Sequence, residues 1–329
     1  MDCTTGAAMK LITADFHLSI NSRDSYRLKF LQRRLPNLVR KWNVDSVYIL
    51  GDITERKDNH NAELVNNIVD GLAELGRICE VTVLRGNHDY TDIDNPFFHF
   101  LSHIHGVGFI NTPETIGNEL WLPHTRDHTD WDRLNFVGIK RIFTHNTFSG
   151  AVGDNGQPLD GIPLDALPKH IPIISGDVHV PQKLGNVTYV GAPYTIDFGD
   201  DFQPRVLLLG DKITSLKLNG PQKRLYRVES VEQLREQLNG RFTDGDVIRV
   251  EVTLQPGDYA GWAALKQRII ELFEHEDVWL DGVIPVIAGG VTPAARQHRA
   301  PASDEAVLKT YCTQRGVDDD TMQAGLQLL

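Results

Sequence analysis

The chain has 329 residues, 41% hydrophobic and 23% charged, the make-up of a globular protein with room for one large core or two domains. Its formal net charge of −11 argues against holding nucleic acid by a broad basic surface, and Cys3, Cys79 and Cys312, odd in number and far apart, argue against a disulfide framework or a thiolate zinc site. With no apolar run long enough to span a membrane and no signal pattern in "MDCTTGAAMK", the expected setting is the cytoplasm, away from membranes.

Residues 1–8 read as a disordered extension, because Met9 stands just before the first apolar run, "KLITADFH". From residue 9 to about 223 one theme repeats: a short β-rich run stops abruptly at Asp, His, Asn or Gly. Strands are expected at "KLITAD", "SVYIL", "EVTVL", "RIFTH" and "IPIIS", with helical periodicity near 24–42 and 61–76. Residues 106–122 and 185–218, punctuated by Gly, Asn and Pro, read as hairpins. The alternation predicts an α/β catalytic domain with mixed sheet pairing and polar residues gathered at strand ends.

From residue 224 the vocabulary changes. Strand "RLYRV", a helix opened by the capping box Ser230-Val231-Glu232-Gln233, strand "DVIRVEVTL", helix "GWAALKQRIIELFEH" and strand "VWLDGVIPV" predict a small α+β segment over 224–299. The linker "GGVTPAARQHRAPAS" leads into a C-terminal segment, 300–329, with two short helical patterns. Val307, Leu308 and Tyr311 form one apolar stripe, and Met322, Leu326 and Leu329 another. Such helices either pack on their own domain or dock into a partner's coiled coil.

The strand ends carry the chemistry. Asp15 and His17 lie two apart, and so on one face of an extended chain; Asp52 follows Gly51, with Asp58 and His60 beyond it. Asn87, His88 and Asp89 follow Gly86, His145 ends "RIFTH", and Asp177 and His179 follow Gly176. Taken singly, each has an ordinary explanation: a turn, a satisfied polar pair, an Asx turn, a core histidine. Five such ends on a largely parallel sheet converge on one crevice, which makes coincidence a poor explanation. Hard oxygens and imidazoles without thiolate suit a pair of divalent ions such as manganese, iron or zinc. Two ions about 3.5–4 Å apart can share a carboxylate and a water and clamp the oxygens of an in-line displacement at a phosphate ester.

In this order, Asp15-x-His17, Gly51-Asp52, Gly86-Asn87-His88-Asp89, His145 and Gly176-x-x-His179 resemble the calcineurin-like metallophosphoesterases. The loop "VTYVGAPYTIDFGD" (187–200) is similar to one in their SbcD-type DNA repair nucleases, and the segment at 224–299 resembles those enzymes' capping domain. The resemblance implies a mixed α/β metallophosphoesterase fold and two divalent cations, manganese foremost, with magnesium, iron and zinc as alternatives. Asp15, His17, Asp52 and His179 would hold one cation; Asp52 as the bridge, Asn87, His145 and Asp177 would hold the other. His88 would stabilise the transition state or protonate the leaving oxygen, with Asp89 orienting it. It further implies DNA as substrate, exonuclease activity that extends to nicking single strands, an SbcC-type ATPase subunit as partner, and room for a homodimer.

His60 is a candidate substrate contact, the alternative being a solvated helix N-terminus capped by Asp58. Tyr194 is a candidate for stacking on a base, the alternative being a tyrosine packed on its own sheet. Asp177 departs from the family, which carries histidine there, and so adds negative charge beside the second cation. The loop also lacks the arginine that relatives place near the substrate phosphate. The histidines at 99, 103, 105, 124 and 128 read as surface or loop residues. A metallophosphatase acting on phosphoproteins or small nucleotides, and a non-catalytic scaffold on the same fold, are the rival functions.

Overall fold

The computed structural model describes residues 8–238, 242–274 and 276–288, so the segment at 300–329 and all but residue 8 of the expected N-terminal extension lie outside it. The chain begins with β1 (Lys10–Thr13), then α1 (Ser25–Lys29), a π-helical turn at Phe30–Arg34, and α2 (Leu35–Trp42). The π turn has a local cause. Pro36 lacks an N–H and its ring would crowd the carbonyl four residues back, and a widened turn absorbs both without ending the helix.

Then come β2 (Ser46–Leu50), α3 (Ala62–Gly76), β3 (Glu80–Leu84) and β4 (Val107–Ile110), followed by β5 (Glu114–Ile116), β6 (Glu119–Leu122), β7 (Arg141–Thr144), β8 (Ile173–Ser175), β9 (Gln182–Leu184) and β10 (Val187–Tyr189). A hairpin of β11 (Arg205–Leu209) and β12 (Ile213–Lys217) completes the core. Where alternation suggests one sheet, there are two, each mixed and six-stranded: β12-β11-β1-β2-β3-β4 and β5-β6-β7-β8-β10-β9. In the first, β1 to β4 run parallel and the β11–β12 hairpin is antiparallel. In the second, β6, β7, β8 and β10 run parallel, with β5 and β9 antiparallel at the edges. One expectation is corrected here: β4 is no hairpin arm but joins β3 in parallel, while β5–β6, β9–β10 and β11–β12 are hairpins.

Strand residues alternate between two cores, which explains why the strands read as unbroken apolar runs. Leu11, Val47, Ile49, Val81 and Val83 pack with Leu31, Leu35, Ile68 and Leu72 from the helices. Their neighbours Ile12, Tyr48, Leu50 and Leu84 meet Trp121, Phe143 and Ile174 of the second sheet. Leu120, Ile142 and Ile173 face a third cluster with Phe148 and Leu167. Because β1, β2 and β3 are parallel in one sheet and β6, β7 and β8 in the other, six C-terminal strand ends gather at one edge of the sandwich.

After residue 222 follow β13 (Lys223–Val228), α4 (Val231–Leu238), β14 (Val247–Leu254), α5 (Trp262–Glu271) and β15 (Trp279–Ile287), with a sheet in the order β13-β14-β15. The capping box forms in part: the Gln233 N–H donates to Ser230 Oγ at 3.1 Å, while the Gln233 side chain accepts from the Glu229 N–H at 2.7 Å, one residue before the cap. Among the described residues, contacts divide the chain into those of 8–252 with 261–284, and those of 253–260 with 285–288. Within the second group the Ala288 N–H donates to the Leu254 carbonyl at 2.7 Å. Among the described residues no helix is long and apolar enough to cross a membrane.

Candidate metal centre

The turn after β1 and the turn after β2 run side by side. Asp15 N–H donates to the Gly51 carbonyl at 3.1 Å, His17 N–H to Asp52 at 3.0 Å and Leu18 N–H to Ile53 at 2.9 Å. To aim their side chains into the crevice, Asp15 (φ 56°), His17 (φ 43°), Asp52 (φ 56°) and Asp177 (φ 77°) all adopt the left-handed region. Among the described residues only one other non-glycine, Asn43 at the end of α2, does so. Each such residue costs about 1–3 kcal/mol, and strain concentrated on four candidate ligands marks a functional constraint rather than a run of turns.

Three groups of ligand atoms within 4.8 Å of one another result: a first cluster of Asp15, His17 and His179, a second of Asp15, Asp52 and His145, and between them His17, Asp52 and His88. The Asp52 carboxylate is divided between them: Oδ2 lies 3.5 Å from His17 Nε2, and Oδ1 lies 3.2 Å from His145 Nε2. Asn87 Oδ1 is 3.1 Å from His145 Nε2, and Asp177 Oδ1 is 3.5 Å from the same nitrogen. The second oxygen of Asp177 is occupied by the Thr147 hydroxyl, which donates to it at 2.6 Å.

Two imidazoles are oriented by a hydrogen bond through the other nitrogen: His145 Nδ1 donates to the Leu50 carbonyl and His88 Nδ1 to the Glu55 carbonyl at 2.7 Å. His179 Nδ1 lies 3.3 Å from Asp154 Oδ2 and His17 Nδ1 3.5 Å from Glu55 Oε2, close to a carboxylate but without a hydrogen bond. A second partner of this kind is what metal-ligating histidines use to hold the ring. The buried Arg27 fixes the Glu55 carboxylate at 3.2 Å and the His17 carbonyl at 2.7 Å.

The donor set fits two cations. His17 Nε2 and His179 Nε2 face each other at 3.2 Å, although both Nδ1 positions already point at carboxylates. Asp15 is fully buried and its Oδ2 has no hydrogen-bond partner. The Asn87 amide oxygen sits among the acceptor atoms of Asp52, Asp177 and His145; turned over, the amide would donate to Asp52 at 2.9 Å. Burial lifts the Asp15 carboxyl to about 7, and although burial opposes its charge, Asp52 and Asp177 hold the His145 imidazole well above its usual value. Protons thus supply positive charge at the points where divalent ions would supply it, and ion binding would release them.

Glycine is required beside the bridge. A Cβ at Gly86 would lie 2.3 Å from Asp52 Oδ1, and one at Gly51 (φ 87°) would lie 2.3 Å from His145 Nδ1. Gly86→Ala is therefore expected to displace the Asp52 carboxylate and weaken cation binding by about tenfold or more, the scale seen when support of a ligand is lost. Calorimetric titration with manganese, beside a melting curve showing a folded protein, checks this; unchanged affinity would mean that the carboxylate does not bind the ion from this position.

Three sequence expectations need correction: the roles of Asp89 and Tyr194, and the cap of α3. Asp89 does not orient His88. It is fully buried, and its carboxylate accepts from the N–H groups of Asp52 (2.9 Å), Ile53 (2.9 Å) and Gly86 (2.7 Å), stapling the β2 turn to the β3 turn. Tyr194 is buried, stacks edge-on against Tyr26 and Phe30, and donates its hydroxyl to the Phe16 carbonyl, so it offers no face to a substrate. His60, a candidate substrate contact, lies outside the ligand clusters with its ring 4.4 Å from Phe97, on a cavity of about 390 Å³ that Glu55 also borders. The cap of α3 is Asn61, whose Oδ1 accepts from the Leu64 N–H at 2.8 Å, and not Asp58. His124, read as a surface or loop histidine, does lie in the loop after β6, with its ring 6.4 Å from that of His145. His88 sits 4.7 Å from the His17 ring and groups with His17 and Asp52.

Sequence reading missed Glu55, Thr147 and Asp154. Asp154 lies in "GDNG", which signals a turn and nothing more. Glu55 and Thr147 each follow a candidate ligand by two or three residues, a spacing that could have drawn attention to them.

A family model described as calcineurin-like phosphoesterase matches residues 10–214. Among solved structures the chain is similar to the nuclease MPE of Pseudomonas putida, 15% identical with a TM-score of 0.32, over 63% of this chain and 72% of that one. It is also similar to a dimetal phosphatase from Danio rerio, 9% identical with a TM-score of 0.39, over 65% of this chain and all of that one. Both likenesses are distant and neither bears on the substrate.

Proposed function

Because the chain belongs to the calcineurin-like phosphoesterases, we propose that it is a two-metal phosphodiesterase that cleaves DNA, an exonuclease in repair or recombination of the SbcD type. The observation that carries the two-metal reading is the division of the Asp52 carboxylate, with one oxygen toward His17 and the other toward His145. Asp15, His17, Asp52 and His179 would hold one divalent cation, and Asp52, Asn87, His145 and Asp177 the other, manganese being the first choice. Bound there, such ions supply Lewis acidity to a water and to the phosphoryl oxygens. His88, with Nδ1 committed to the Glu55 carbonyl, presents Nε2 to the crevice as the group that gives a proton to the leaving oxygen or stabilises charge on the phosphoryl group.

A polymeric substrate is favoured by the α+β segment that follows the catalytic fold and by the loop at 187–200. The net charge of −11 favours a small phosphoester instead, unless a partner of the SbcC ATPase type supplies the grip on DNA. A scaffold role is disfavoured by the left-handed backbone of four residues of the crevice, since a decaying site would relax it. The deciding assay follows shortening of linear duplex DNA with manganese, beside bis(4-nitrophenyl) phosphate. Hydrolysis of both supports a nuclease; hydrolysis of the small ester alone transfers the proposal to small substrates or to strict dependence on a partner.

Asp177 tunes the second cluster. With three carboxylates against two divalent ions, the centre should prefer oxygen-loving manganese or magnesium to zinc. Asp177→His is expected to retain both cations and shift preference toward zinc, and Asp177→Ala to weaken one site selectively. Competitive titration of manganese and zinc across the three proteins checks this; an Asp177→Ala variant that binds both ions as tightly as the parent would reduce Asp177 to a turn residue.

A further inference from the structure

One strand end at this edge remains without a role. β6 runs parallel to β7 with Leu122 opposite Thr144, so the chain leaves β6 through Pro123 and His124 beside the point where β7 delivers His145. The His124 backbone is pinned on both sides: its N–H donates to the Arg85 carbonyl at 3.0 Å, and its carbonyl accepts from Arg85 Nη2 at 2.9 Å. The next N–H, of Thr125, donates to Asn146 Oδ1 at 3.0 Å. Arg85 is itself buried and stacks its guanidinium 4.2 Å from the centre of the Tyr90 ring. The Tyr90 hydroxyl in turn lies 3.0 Å from His124 Nδ1.

The Tyr90 hydrogen bond fixes the ring on this pinned loop, and such pre-ordering is characteristic of groups that meet a ligand. A phenol is the natural donor to a neutral imidazole, so Tyr90 O–H donates to Nδ1 and Nε2 carries the ring's proton. His124 therefore offers an N–H donor on the side of His145, whereas His88 stands on the side of His17.

We propose that His124 is a further substrate-contacting residue, its Nε2–H donating to a phosphoryl oxygen of the bound ester from the side opposite His88, with Tyr90 as the residue that fixes its tautomer. This rests on the reading of the crevice as a phosphoester site. The two histidines then flank one phosphoryl group.

The test uses the full-length, manganese-loaded protein and its His124→Ala, His124→Gln and Tyr90→Phe variants. Metal content, the affinity for inorganic phosphate by calorimetry, and kcat/KM for bis(4-nitrophenyl) phosphate are measured. His124→Ala is expected to keep the parent's metal content, bind phosphate about tenfold more weakly and lose about ten- to a hundredfold in kcat/KM, the effect of one lost hydrogen bond to a charged acceptor. His124→Gln, which retains an N–H donor, should recover part of both, and Tyr90→Phe should fall between Gln and the parent. Phosphate affinity and kcat/KM within twofold of the parent in His124→Ala would overturn the inference, as would loss of metal, which would make His124 part of the cation site. A parent that loads metal yet binds neither phosphate nor ester would instead overturn the phosphoester reading on which the inference stands.

Discussion

Asp52→Asn is expected to lose one of the two cations and to lower turnover by about three orders of magnitude or more, on the scale of losing a preorganised electrostatic group. The backbone should tolerate the change, because asparagine accepts the left-handed conformation that Asp52 adopts at φ 56°. The side chain cannot be satisfied on both sides. Asp52 Oδ1 accepts from the His88 N–H at 2.8 Å, so an asparagine must keep its oxygen there and turn its NH₂ toward His17 Nε2, where Oδ2 now lies at 3.5 Å. The amide would then point a donor at the place where a cation is expected, and the cluster of Asp15, His17 and His179 is the one predicted to empty. Elemental analysis with turnover of bis(4-nitrophenyl) phosphate checks this, and retention of two ions would mean that the carboxylate is not shared.

His88→Asn is expected to do the reverse, keeping both cations while turnover falls by about two to four orders of magnitude. Asparagine preserves the backbone N–H that donates to Asp52 and removes only the ring. Since the ring groups within ligand distance of His17 and Asp52, metal content is the informative readout. Loss of an ion together with activity would make His88 a ligand. With ions retained, the loss should be steeper for esters with poor leaving groups if His88 donates a proton, and uniform across leaving groups if it stabilises charge.

What could be read from sequence was whatever local chemistry repeats: apolar runs ended by Asp, His or Asn behind glycine, the helical periodicity of 62–76, and the capping box at Ser230. The split into two sheets could not be read, because strands buried on both faces look alike whichever sheet they join. Asp89 shows a second limit. Placed after His88, it invites pairing with its neighbour, yet the tight turn at Gly86 folds its carboxylate beneath the loop, where three backbone N–H groups claim it. Tyr194 and His124 show a third. An aromatic in a Gly/Pro-rich loop and a histidine after Pro123 give no local signal of which way they face; that depends on α1 packing over Tyr194 and on Arg85 reaching across to His124. Glu55 and Asp154 act only through the histidines they orient, contacts that exist once the strand ends have been brought together.

The division of Asp52 between two cations is the central claim, and anomalous scattering from a crystal of the protein grown with manganese tests it most directly. The account predicts two manganese peaks about 3.5–4 Å apart, one on each side of the Asp52 carboxylate, the first against His17 and His179 and the second against Asn87 and His145. A single peak, or two peaks that Asp52 does not separate, would contradict it.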